Sequence, residues 1–148
     1  MIKKIKFAEL ETAPNFLELR DEYAAECAIA GLPPIAEKFA MYKTIEDAGF
    51  FQLFGAYVND KLVGFVSVVV SVIPHFGVPV AVAESLFVAS QFRKFGLGLE
   101  LIREAQSFAA SKGSSGILFS APTGGKLEQI LPRMGFRATN TTFYKEFI

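Results

Sequence analysis

Apolar positions along the 148-residue chain fall into two rhythms. Phe16, Leu19, Tyr23, Cys27 and Ala30 recur at spacings of three and four, which places them on one face of a helix. Pro14 suits the first turn of that helix, where the missing N–H has no partner to lose. Gly31 and Pro33-Pro34 stop it. A weaker helix is expected over 35–47, carrying Phe39, Met41, Tyr42 and Ile45, with Gly49 just past its end. The clearest helical face is Leu101, Ile102, Ala105, Phe108 and Ala109, in a helix over about 96–112 closed by Gly113. A short fourth helix is expected over 126–131.

The other rhythm is that of strands. Segments 2–7, 50–58, 61–73, 80–88, 117–120 and 138–147 read as extended. Asn59-Asp60 is a tight hairpin turn between the second and third. FVSVVVSVI, over 65–73, is apolar on both faces, as a strand at the centre of a sheet is. The resulting order is β-α-α-β-β-β-α-β-α-β, an α/β arrangement with a meander in the middle. No repeat, linker or low-complexity run divides it, so residues 1–148 are expected to form a single domain.

Composition narrows the function. Half the residues are hydrophobic (51%) and only 20% are charged, which excludes a disordered chain. Fifteen basic side chains balance fifteen acidic ones, so there is no general attraction to nucleic acid or to an anionic membrane. Cys27, the single cysteine, cannot form an internal disulfide. Residues 1–11 lack the apolar core of a signal peptide. The longest apolar stretch, 65–73, falls far short of the ~20 residues that span a bilayer. The expectation is a soluble, cytoplasmic protein without nucleic-acid or membrane partners. No His/Cys/Asp cluster has metal-ligand spacing, and no metal is expected.

The chemistry concentrates at residues 86–102, LFVASQFRKFGLGLELI. A strand ends at Val88, a basic, glycine-punctuated loop follows, and a helix begins. A helix N-terminus carries unpaired N–H groups and about half a positive charge. A glycine-bearing loop lets an anion approach that backbone closely, which is a phosphate site. Arg93 and Lys94 put two cations at its mouth, and Gly96 and Gly98 remove side chains that would block it. Two rivals fail on spelling. No Gly-x4-Gly-Lys-Ser/Thr run is present, and after Gly96 and Gly98 the third position of a dinucleotide fingerprint holds Leu101.

What remains is R-x-x-G-x-G after L-x-V: Leu86-Phe87-Val88, then Arg93, Gly96 and Gly98. Here the chain resembles the GNAT superfamily of acetyl-CoA-dependent acyltransferases. The Gly135-Phe136 pair after a short helix, and the order of elements along nearly the whole chain, extend the resemblance. It implies a single-domain α/β fold: a mixed sheet of about six to seven strands, splayed between the fourth and fifth, flanked by about four helices. It implies acetyl-CoA as cosubstrate, with Phe87, Val88, Arg93, Lys94, Phe95, Gly96, Leu97, Gly98 and Leu99 at the coenzyme. It also implies that the Val88 backbone polarises the thioester carbonyl. The implied reaction is acetyl transfer to a primary amine in a ternary complex. The alternative is a non-catalytic acyl-CoA-binding module.

An ammonium acceptor must lose a proton before it attacks. Glu84, in the otherwise apolar AVAESLFV, is the first candidate base. Period-two alternation puts it on one face with Val80, Val82, Leu86 and Val88, where a carboxylate is costly unless paired or used. The resemblance also places a catalytic glutamate four residues before Val88 in some members. Its other reading is a solvent-facing or structural carboxylate. His75, in the turn IPHFG, is a second candidate. It lies thirteen residues from Val88, on the order of 40 Å along a straight strand, so only a folded-back loop or a neighbouring subunit would bring it close. A homodimer is therefore among the expected partners. The tyrosine that in this family protonates the leaving thiolate is replaced by Leu131. Tyr144 substitutes if the last strand bends toward the site, and otherwise packs within that strand. The acceptor, a small molecule or a protein amine, is expected against the first two helices, near Glu26, Glu37, Tyr42 and Lys43.

Overall fold

The computed structural model describes residues 1–27 and 38–147. The expected helix stop at Gly31 and Pro33-Pro34, the start of the second helix before Lys38, and Glu37 all lie outside the described residues.

The chain opens with β1 (Ile2–Ile5), α1 (Phe7–Glu11), α2 (Phe16–Cys27) and α3 (Lys38–Asp47). A meander follows: β2 (Phe51–Val58), β3 (Lys61–Ile73) and β4 (Val78–Val88). A single 3-10 segment over Ser90–Phe95 leads into α4 (Leu97–Ser111), β5 (Ile117–Phe119) and α5 (Lys126–Arg133). The helix expected from Pro14 is preceded by a separate turn of helix, α1, and begins at Phe16.

The five strands lie in sequence order, β1-β2-β3-β4-β5. All neighbours are antiparallel except β4 and β5. Asn59 and Asp60 turn the β2–β3 hairpin with φ of 49° and 63°, the left-handed pair that matches strand twist. β3 is buried on both faces through most of its length, as its composition predicts.

Each face of the sheet has its own core. On one, Leu101, Ala105, Phe108 and Ala109 of α4 pack against Phe54, Val66, Val68 and Ala81. On the other, α1 to α3 lay Phe7, Leu10 and Leu19 against Phe51, Leu53, Phe65 and Phe87. The helices here are less deeply set: α2 buries only Leu19, and α3 buries no residue fully.

Two expectations are corrected. The sheet has five strands rather than six to seven, because 138–147 forms no strand among the described residues. A strand needs a ladder partner, and the outer edge of the sheet there is β5, three residues long. Phe143 and Phe147 of that segment are accordingly exposed. Five α-helices, rather than about four, flank the sheet among the described residues.

Candidate functional site

The site grows from the end of β4. β5 pairs only with Ala81, Val82 and Ala83, so the parallel ladder stops at Ala83↔Phe119. From residue 84 to Val88, β4 keeps β3 on one side and has lost β5 on the other. This is the expected splay between the fourth and fifth strands. Ala89 donates its N–H to Val63 O at 2.8 Å, toward β3. Backbone direction alternates along a strand, so the N–H and C=O of Val88 point to the opposite, open side.

The glycine loop lies beside that edge. Gly96 caps α4 with φ 74° and no side-chain cap, a conformation that favours glycine. The first bonds of the helix are Leu99 N to Gly96 O (3.1 Å) and Glu100 N to Gly96 O (3.2 Å). The amides of Leu97 and Gly98 precede them and point out of the helix end. A Cβ on Gly98 would meet only Val88 Cγ2, at 3.9 Å. The helix terminus and the Val88 peptide are thus adjacent, and the space before the amides is open. A diphosphate fits there: its charge meets the helix dipole, and no side chain bars it. Leu97 is buried and anchors the turn, Leu99 is half-buried, and Lys94 and Phe95 are exposed.

Arg93 departs from its expected role at the mouth of an anion site. Its Nε donates to Val88 O at 2.7 Å. Its Nη2 meets both carboxylate oxygens of Glu26, at 2.9 and 2.7 Å. Its guanidinium lies over Phe87, 5.3 Å from the ring centre. Only a planar fork satisfies three such partners together. Arg93 therefore ties the last residue of β4 to α2.

Glu84 also departs from its expected place. Ser67 faces Ser85 and Val68 faces Ala83, so Glu84 is the extra residue of a β-bulge. The bulge shifts the alternation. Ala81 and Ala83 before it, and Leu86 and Val88 after it, all belong to the α4 face. Glu84 does not share that face with Leu86 and Val88. It is exposed rather than buried, and its charge acts on the Tyr42 hydroxyl on the α1–α3 side. Tyr42 is stacked on Phe7 (5.2 Å between ring centres) and leans on Phe51. Burial, then the charge and hydrogen bond of Glu84, push the Tyr42 hydroxyl well above the usual tyrosine range. Tyr23 sits edge-on to Phe65 and Phe87. Its pKa is pushed up to about 12, chiefly by burial and then by Cys27 and Glu84. Burial, with Glu26 beside it, also raises the Cys27 thiol, against an opposing pull from Arg93.

Beside Tyr42 and Ser85 the helices and the sheet form a half-open cavity of about 110 Å³. Tyr23, Phe39 and Tyr42 line it from the helices, and Phe51, Phe65 and the Ser67–Ser85 pair from the sheet. The two serine hydroxyls are 2.6 Å apart.

His75 is not brought to Val88: it is exposed in the turn closed by Ile73↔Val78, at the far end of the β3–β4 hairpin. Tyr144 lies outside any strand and is 44% exposed. Leu131 is buried in α5, and its carbonyl accepts from Phe136 N, so the Gly135-Phe136 pair closes that helix. Phe136 then meets Phe119 of β5 edge-on at 5.3 Å. The sequence pointed to Tyr42 and Glu26 only as wall residues. Their contacts with Glu84 and Arg93 join positions 42 and 67 residues apart and carry no local signal. Among the described residues no group of His, Cys, Asp and Glu could hold a metal ion. No helix there is long and apolar enough to cross a membrane.

The comparisons agree with this geometry. The fold is similar to that of an aminoglycoside acetyltransferase from an uncultured soil metagenomic sample, solved with trehalose. That match has a TM-score of 0.74 at 20% identity, over 100% of this chain and 96% of that one. The aminoglycoside N-acetyltransferase AAC(6')-Iy, solved in complex with CoA, matches with a TM-score of 0.71 at 20% identity, over 100% of both chains. A ribosomal-protein-alanine N-acetyltransferase from Brucella melitensis matches with a TM-score of 0.69 at 19% identity, over 100% of this chain and 99% of that one. No curated protein matches significantly in sequence. Residues 14–136 match the acetyltransferase (GNAT) family. With a splayed β4, an uncapped glycine turn and a helix terminus beside Val88, the chain belongs to that family: it is an acetyltransferase with acetyl-CoA as cosubstrate.

Proposed function

We propose that Val88, the α4 terminus and Glu84 together transfer the acetyl group to a primary amine by direct attack in a ternary complex. The observation that carries this reading is the open edge of β4 beyond Ala83, with Gly98 of the α4 terminus so near that a Cβ there would lie 3.9 Å from Val88 Cγ2. Bound acetyl-CoA supplies an activated acetyl group and a thiolate leaving group. The amides of Leu97 and Gly98 hold its diphosphate, flanked by Lys94, Phe95, Gly96 and Leu99. The Val88 N–H, on the open side, donates to the acetyl carbonyl oxygen as negative charge develops, a contribution of about 3 kcal/mol when well aimed. Arg93 holds the other end of that peptide unit's residue in place through Val88 O.

The amine nitrogen forms a bond to the acetyl carbon, the carbon–sulfur bond breaks, and its electron pair leaves on the thiolate. Glu84 takes the ammonium proton before attack, directly or through water, and the second proton, shed by the nitrogen as the amide forms, passes through water to the departing thiolate. No acid is required at Leu131, since a thiol of pKa near about 8.5 leaves tolerably as thiolate. His75 has no part in this reading, and neither does Tyr144. A single cysteine supports a cytoplasmic setting.

Titration calorimetry with acetyl-CoA, followed by a thiol-release assay over a panel of amines, tests the reading. Binding with amine-dependent thiol release is expected. Glu84→Gln should slow release and remove the acidic limb of the pH–rate profile while leaving acetyl-CoA binding intact. An unchanged profile rules out Glu84 as the base. The buried Leu131, in place of an acid, favours a second reading, a module that binds the coenzyme without turnover. Binding without release on any amine would establish that one.

A further inference from the structure

We propose that the acceptor is a primary amine on one small, flat or branched apolar body, such as a phenylalkylamine, and that polyamines and aminoglycosides are rejected. This rests on the acetyltransferase reading and names its substrate class.

The cavity has the right place, size and lining. It lies beside Glu84: the neighbouring residue Ser85 lines it, and so does Tyr42, whose hydroxyl feels the Glu84 charge. An amine at Glu84 therefore points its carbon body into the cavity. At about 110 Å³ it is somewhat smaller than the roughly 150 Å³ apolar cavity known to take up benzene. One ring, or a branched alkyl group that reaches partly into solvent, fills it. A multi-ring sugar does not fit. More than half of the lining residues are aromatic, and the rings contact one another: Phe7 on Phe39 at 5.4 Å and on Tyr42 at 5.2 Å, Phe16 on Phe39 at 6.2 Å. The polar lining includes the Ser67–Ser85 pair, in which one hydroxyl donates to the other at 2.6 Å.

Charge excludes the alternative. The charged residues at the lining are Arg20 and Lys38, both cationic, and no carboxylate lines the cavity among the described residues. A polycation would bring several ammonium groups to a wall offering them one partner, Glu84, beside the cationic Lys38 and an Arg20 already paired with Asp21 at 2.9 Å. An unpaired charge in an apolar wall costs several kcal/mol.

The test is the thiol-release assay run with 2-phenylethylamine, isoamylamine, spermidine and sisomicin. The first two should exceed the last two in kcat/KM by about 30-fold or more, the discrimination expected of a group filling an apolar pocket. Equal rates, or the reverse order, would overturn the proposal. Phe39→Ala should enlarge the cavity and shift the preference toward 2-(1-naphthyl)ethylamine over 2-phenylethylamine by about 5-fold or more, with acetyl-CoA affinity unchanged. An unchanged ratio in the folded variant would also overturn it. If no amine releases thiol, the acetyltransferase reading has failed but the cavity can still be tested. Aromatic resonances of the CoA-bound protein should then shift with 2-phenylethylamine and not with spermidine. No shift with 2-phenylethylamine, or the same shift with both, sinks the cavity proposal as well.

Discussion

The two faces of the sheet solve different problems. On the α4 face, six residues of one fifteen-residue helix are buried, Leu101 and Ala105 completely. That helix cannot rock without opening the core, so its N-terminal amides are fixed relative to Val88. On the α1–α3 face, the packing is aromatic, shallow and incomplete, with one fully buried residue in α2 and none in α3. Large flat rings leave gaps where aliphatic side chains would interdigitate. On the proposed reading, the tight face holds the coenzyme's diphosphate and the loose face shapes the space for the acceptor. A fixed coenzyme site and a looser acceptor site would then arise from helix packing on opposite sides of the same strands.

The largest expected effect breaks the rigid half outright. Gly98→Trp puts an indole into the space before the α4 amides, where a Cβ alone has room. Affinity for acetyl-CoA should fall by about 1,000-fold, ~4 kcal/mol, in calorimetry. The melting temperature should change little, because nothing is displaced from the core. Retained affinity would mean that the diphosphate lies elsewhere.

Truncating matched positions on the two faces should expose the contrast in stability. Leu101→Ala removes a fully buried side chain from a closed core and should cost about 3 kcal/mol in denaturant unfolding. Phe39→Ala removes a larger side chain, but one half-exposed beside an existing cavity, and should cost about 1 kcal/mol. Equal costs would show that the aromatic face is as tightly packed as the other.

What the sequence disclosed follows the same division. The α4 face was legible because a 3.6-residue period, Gly96, Gly98 and Gly113 are local signals. The Asn59-Asp60 hairpin and the doubly buried β3 were legible for the same reason. Apart from the short helix α1, what it did not disclose involves pairing across the chain. The bulge that turns Glu84 toward Tyr42 depends on β3 offering one residue, Ser67, where β4 offers two. The missing strand at 138–147 depends on the short reach of β5. The capture of Arg93 by Glu26 depends on how α2 lies across the end of β4. No local pattern encodes these, and each one bears on how the acceptor half meets the coenzyme half.

Arg93 is the place where the two halves are joined. It binds Val88 O from the rigid side and Glu26 of α2 from the loose side. As a positioning residue it should affect chemistry more than binding. Arg93→Ala should lower kcat by about 30-fold, ~2 kcal/mol, while the acetyl-CoA dissociation constant changes by no more than about 3-fold. Arg93→Lys keeps the charge but cannot reach both partners, and should recover little of the loss. If the dissociation constant rises instead and kcat holds, Arg93 is a phosphate ligand, and its bond to Val88 gives way when the coenzyme enters.

The smallest effect separates the faces by pH alone. Tyr23 lies on the aromatic face, and no tyrosine belongs to the α4 core. Its folded pKa is raised to about 12 from an ordinary 10.0. Below pH 10 the hydroxyl is protonated in both states, and its environment adds no pH dependence. Above pH 10 the unfolded chain loses this proton while the folded chain keeps it, so stability falls until the folded group also ionises near pH 12. Tyr42, shifted in the same direction, adds to the decline. Melting temperatures between pH 8 and 11.5 should therefore drop less steeply in Tyr23→Phe than in the parent chain. Because Tyr23 is only partly buried, the difference should amount to a few tenths of a kcal/mol. Parallel curves would show that its hydroxyl is as well solvated in the folded protein as in the unfolded one, and that the loose face admits water as far as Phe87.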